Sequence, residues 1–144
     1  MIAAQLALLT AGLFAGAAFY INFAEQPARL ALDDRALLAE WKIAYPRGFL
    51  LQAPLAILGG VLGIWAWYRL GRLEFLFGAV LMLANWPWTM LVIASVNKKL
   101  MTMAPEDAGA QGRALIAKWS WLHAVRTGLG CLAALAFLLG LLAK

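Results

Sequence analysis

Apolar positions in this chain fall into four long runs: Ile2 to Phe23, Phe49 to Tyr68, Phe75 to Val96, and roughly His123 to Ala143. Each has the length of about 20 residues needed to cross a hydrocarbon layer of about 30 Å. Backbone groups inside such a layer must bond within their own segment, so the runs are predicted as helices. They are too long and too evenly apolar for barrel strands. The first run is broken only by Gln5, Thr10 and Asn22, lacks a basic leader and runs past the length of a signal peptide, so it is read as a span. The expected fold is all-α: one polytopic membrane domain over residues 1–144, a four-transmembrane-helix bundle.

The segments between the runs differ. Arg69-Leu70-Gly71-Arg72 is a tight turn that folds spans two and three into an antiparallel hairpin. Between spans one and two, Asp33 and Asp34 can cap a short helix with Leu37, Leu38, Trp41 and Tyr45 near one face. Pro46 is expected to help end it, leaving a separate amphipathic helix at the interface. Before the fourth span, Pro105-Glu106-Asp107 is a helix-start signal. Span four is therefore expected to begin early, with a break at Gly109 or Gly112. Pro87 is expected to kink span three, and Pro27 to disturb the end of span one. Gly12 with Gly16 and Gly59 with Gly63 have the spacing that lets helix backbones approach. Packing within the bundle is the first reading and homodimerisation the second.

Composition agrees with a membrane protein. Of 144 residues 65% are hydrophobic and 13% charged, and the mean hydropathy is +0.80. The formal net charge of +5 comes from basic residues lying between apolar runs, which suits loop anchors better than a nucleic-acid surface. Cys131 is the sole cysteine, so an internal disulfide is excluded.

Connectivity gathers the polar residues. If the N-terminus lies on side A, side B receives Asn22, Glu25 and Arg29 from span one, Tyr45, Arg47 and Gln52 from span two, Asn97 to Lys99 from span three, and His123 and Arg126 from span four. Side B holds nine of the twelve Lys and Arg residues, so the positive-inside rule makes it cytoplasmic and puts both termini outside. The expected location is a bacterial inner membrane.

Helical spacing sharpens this grouping. Trp119, His123, Arg126 and Gly130 share one face of span four. Asn22, Glu25 and Arg29 share a face of span one if the helix survives Pro27. Ionisable groups at such depth usually face a partner or a cavity. Simpler readings stand beside this one. Arg47 and Arg126 can snorkel to headgroups. Glu25 can serve as structural glue to an arginine. Trp41, Trp119 and Trp121 can belong to an interfacial belt, and the Asn85 to Trp88 cluster can be packing. A lone histidine is more often structural than functional, but here polar groups from several spans meet at one level.

A facial iron triad and bis-histidine haem both need two histidines, and the chain has one. Haem or a metal with a single His ligand stays open. P-loop, GxGxxG, HExxH and GxSxG signatures are absent from the sequence. Cys131 lies well round the helix from His123, a poor nucleophile–base geometry. What remains is a possible base, His123, a carboxylate, Glu25, and surplus arginines that favour an anion such as an enolate or phenolate.

Certain segments resemble the anthrone oxygenase-like family of small four-span membrane proteins. They are Asn22-Phe23-Ala24-Glu25-Gln26-Pro27-Ala28-Arg29, Trp41 with Tyr45-Pro46-Arg47, Asn97-Lys98-Lys99-Leu100, and Trp119 with Leu122-His123-Ala124-Val125-Arg126. The likeness covers almost the whole chain. It implies oxidation of an activated aromatic methylene to a ketone by O₂. No tightly bound cofactor is expected for that reaction here. On that basis His123, Arg126, Arg47 and Glu25 are the expected catalytic residues. Asn22, Arg29, Trp41, Tyr45, Asn97 and Trp119 are expected to bind substrate. The expected partners are the lipid bilayer, an apolar small molecule and O₂. Two other classes compete: a noncatalytic membrane binding protein or subunit for a quinone, lipid or haem, and a small transporter. The second is disfavoured because no acidic residue lies at the middle of a span.

Overall fold

The computed structural model describes residues 1–143. Four long helices run through it: α1 Ile2–Leu30, α2 Asp34–Leu70, α3 Leu73–Thr102 and α4 Ala110–Leu142. All four are long and apolar enough to cross a membrane, and the chain is a multi-pass integral membrane protein. Each helix packs mainly on its sequence neighbours, and α1 closes the ring against α4.

At 29, 37, 30 and 33 residues the helices exceed what a bilayer requires. The tight turn leaves no excess on side A. Gly71 makes that turn at φ 69°, a conformation that costs other residues a Cβ clash, and its N–H bonds the Trp67 carbonyl at 2.8 Å. The surplus length is thus on side B, beyond the spans.

This changes the expectation for the second segment. Asp33 does cap the helix, accepting the Ala36 N–H at 3.0 Å. The helix does not stop at Pro46, however. It continues through Pro46 and Pro54 to Leu70, so the separate interfacial helix is instead the first part of α2. The physical reason is burial. Leu37, Leu38 and Trp41 are fully enclosed and pack with Val96, Leu100, Ile116 and Trp119. That much apolar burial outweighs a proline penalty of about 3 kcal/mol.

The prolines of α1 and α3 are accommodated by widened turns. Residues Ile21–Glu25, just before Pro27, form a π-helical turn, and Thr89–Ile93 form another just after Pro87. Around Pro87 the Asn85 amide donates to the Leu81 and Met82 carbonyls, each at 3.1 Å. Helix α4 starts at Gly109 as its N-cap, while Gly112 lies inside the helix against Met103.

The interior has two apolar clusters. Ala7, Phe14, Phe75, Met82 and Phe137 belong to the one toward side A, and Leu38, Trp41, Leu100, Ile116 and Trp119 to the one toward side B. The two glycine pairs have different fates. A Cβ on Gly63 would lie 2.8 Å from the Phe137 ring, so this glycine allows α2 to seat against its neighbours. Gly12 and Gly16 face outward with open space beside them, so bundle packing does not explain that pair.

Candidate functional site

Between the two apolar clusters lies a polar layer to which every helix contributes: Asn22 from α1, Gln52 from α2, Asn85 and Thr89 from α3, His123 and Arg126 from α4. At about 1.5 Å per residue, Arg126 stands about 24 Å along α4 from Leu142, near the side B edge of a bilayer core.

His123 is almost wholly buried and is held on two sides. Its ring stacks on Trp119 with centroids 4.8 Å apart. Its Nδ1 lies 2.8 Å from the Asn22 Oδ1. The amide of Asn22 can be oriented from its partners, because its Nδ2 donates to the Ser120 carbonyl at 2.9 Å. Asn22 Oδ1 also accepts the Thr127 hydroxyl at 2.8 Å. An amide oxygen only accepts, so the neutral imidazole carries its proton on Nδ1 and keeps the lone pair on Nε2. Nε2 has no hydrogen-bond partner among the described residues.

The two buried arginines differ in their charge balance. Arg29 forms an ion pair with Glu25 and a second with Glu40 at 2.7 Å, and it bonds the Gln26 Oε1 at 3.3 Å. Two carboxylates thus flank its one positive charge. Arg126, 7% exposed, has no carboxylate within ion-pair distance among the described residues, and its Nε has no hydrogen-bond partner. Its guanidinium lies 5.6 Å from the centroid of the Phe14 ring. Phe14 reaches that place because Gly130 opposite has no side chain, and a Cβ there would sit 2.7 Å from the ring.

A cavity joins these groups. Glu25, Arg29, Tyr45, Phe49, Gln52, Trp119, His123 and Arg126 line it, with Ile21, Ala44 and Gly48. Its volume is about 20 Å³, room for one water. The Tyr45 hydroxyl accepts from Asn97 Nδ2 at 2.9 Å, so its own O–H is available to the cavity. Trp41 stacks on Tyr45 at 4.9 Å and meets the edge of Trp119 at 5.8 Å, forming a wall behind both.

Of the expected site residues, Arg47 is placed elsewhere. Its guanidinium is exposed and donates back to the Ile43 carbonyl at 2.9 Å. Continuation of α2 through Pro46 turns it away from α4. Glu25 pairs with Arg29 rather than with the imidazole, and Asn97 acts through Tyr45. Of the three tryptophans read as belt candidates, Trp41 and Trp119 are core residues, and Trp121, 79% exposed, suits an interfacial belt. Gln26, Glu40 and Thr127 were not anticipated. Gln26 donates to the Ile116 carbonyl at 3.1 Å. The widened turn before it puts Gln26, rather than only Glu25, one turn beyond Asn22. Among the described residues, no group of three or more His, Cys, Asp and Glu side chains could hold a metal ion.

The fold and this layer define a class: a four-helix membrane bundle enclosing a buried imidazole beside an unpaired guanidinium. The family model for anthrone oxygenase matches residues 41–136, and the chain belongs to that family. No curated protein and no solved structure matches it.

Proposed function

We propose that the protein is a membrane-embedded oxygenase that converts an acidic methylene of an apolar aromatic or enolisable molecule into a ketone. Family membership supports an oxygenase-like activity. The observation that carries the reading is Arg126, a buried cation without an anion, on the same face as an imidazole whose lone pair is on Nε2. An unpaired buried charge is costly, and an anionic ligand would relieve that cost.

In the proposed reaction His123 Nε2 removes one methylene proton. The charge delocalises to the substrate oxygen, where Arg126 and the Tyr45 O–H hold it. The carbanion gives one electron to O₂, and the resulting radical and superoxide combine to form a C–O bond. The peroxide takes the proton from the imidazolium. Loss of the second C–H proton to Nε2 then breaks the O–O bond, leaving a ketone and hydroxide, which takes that proton back as water. One O₂ is consumed per methylene, with one oxygen in the product and one in water. Glu25 and Glu40 fix Arg29 in the cavity wall, and Asn97 orients Tyr45.

On this reading the protein sits in a bacterial inner membrane with side B in the cytoplasm, and the bilayer supplies the substrate. The test is oxygen uptake by purified protein with an anthrone, using ¹⁸O₂. One labelled oxygen in the ketone is expected. Uptake no faster than in protein-free vesicles would refute the reading.

A further inference from the structure

Three cavities meet at Phe49. The first is the site, at about 20 Å³. The second, about 10 Å³, lies between α2 and α3 and is lined by Phe49, Ala53, Ala56, Asn85, Trp86, Thr89, Met90 and Arg126. The third is a groove of about 460 Å³ on the outer face, lined by Phe49, Ala53, Pro54, Ile57, Val61 and Trp86 among others. Ile57 is 43% exposed and Val61 55% exposed within the apolar stretch of α2, so the groove opens toward lipid. The inner chambers each hold about a water, whereas the groove is the size of a small-molecule pocket.

Phe49 lines all three, and Arg126 lines the inner two. The Phe49 ring stands edge-on to Trp86 at 6.3 Å and tilted against Tyr45 at 6.4 Å. It is held by two aromatic contacts rather than enclosed. It thus stands between both inner chambers and the groove.

The second chamber also has an unmatched polar atom. Asn85 is 2% exposed, and both of its amide bonds go to carbonyls of its own helix through Nδ2. Its Oδ1 is buried without a partner. An acceptor left bare in an apolar span is destabilising unless something donates to it.

We propose that Phe49 is a lateral gate from the bilayer, and that Asn85 Oδ1 is the acceptor for a hydroxyl on the flat apolar ligand that passes it. This rests on the reading of the site as one for an apolar substrate. The ligand's acidic end lies at Arg126 and its hydroxyl-bearing end lies between α2 and α3.

Binding alone tests it, with a hydroxyanthraquinone dye and its methyl ether as probes and tryptophan quenching by stopped flow as readout. Phe49→Ala should speed association and dissociation together by roughly tenfold, and Phe49→Trp should slow both. Asn85→Leu should erase a preference of roughly fivefold for the hydroxylated dye. Asn85→Ser, too short to reach the ligand, serves if the leucine variant does not fold. Unchanged rates in both Phe49 variants would overturn the gate. An unchanged preference in the Asn85 variant would overturn the acceptor. Failure of the unaltered protein to bind either dye would overturn the ligand reading itself. Gated binding without oxygen uptake would sink only the oxygenase.

Discussion

Asn22 of α1 and His123 of α4 hold each other at 2.8 Å, and this bond decides which ring nitrogen is free. His123→Ala is expected to lower turnover by roughly 10²–10⁴-fold, the usual contribution of a general base, with the fold intact by circular dichroism. Asn22→Leu should lower it by about 10- to 100-fold, as loss of an orienting partner does elsewhere. Oxygen uptake by each purified variant, compared at equal protein, checks both.

Arg126 should show opposite effects on stability and activity. Arg126→Leu removes a buried charge that no carboxylate matches, so the melting temperature in detergent should rise. Turnover should fall by about 10²–10³-fold, the scale of losing one oxyanion donor. Arg126→Lys should recover little, because a point charge does not replace a planar fork. A protein both destabilised and fully active would contradict the role given to this residue.

Arg47, from the Tyr45-Pro46-Arg47 segment, provides a contrast. Its guanidinium bonds the Ile43 carbonyl, outside the cavity. Arg47→Ala should leave turnover within about twofold and stability within about 0.5 kcal/mol, as for other surface changes. Loss of activity comparable to that of Arg126→Leu would show that Arg47 reaches the substrate.

With nine basic residues on side B against three on side A, the positive-inside rule predicts that side B faces the cytoplasm. A reporter active only in the cytoplasm should be silent after Lys144 and active when inserted between Ala104 and Gly109. The reverse pattern would invert the topology and put the site at the outer face.

Much of this was legible in the residues taken in order. Run length alone dictates four helices, and an even alternation of spans sends Asn22, Gln52, Asn97, His123 and Arg126 to one end of the bundle. The i, i+4, i+7 spacing of Trp119, His123 and Arg126 puts them on one face, and all three are buried. What a sequence pattern cannot supply is the rotation and offset of one helix against the next. Those follow from side chains seated across the interfaces, as Phe137 beside Gly63 and Phe14 beside Gly130. They made Arg29 a matched cation between Glu25 and Glu40 and left Arg126 unmatched, although both are arginines near one membrane face. Backbone irregularities did the rest. One wide turn before Pro27 carried Gln26 to α4, and the unbroken helix through Pro46 carried Arg47 away from it. Periodicity assumes a fixed turn per residue, so it determined which faces are polar. Only the packed helices, with their widened turns and tolerated prolines, decided which polar groups meet.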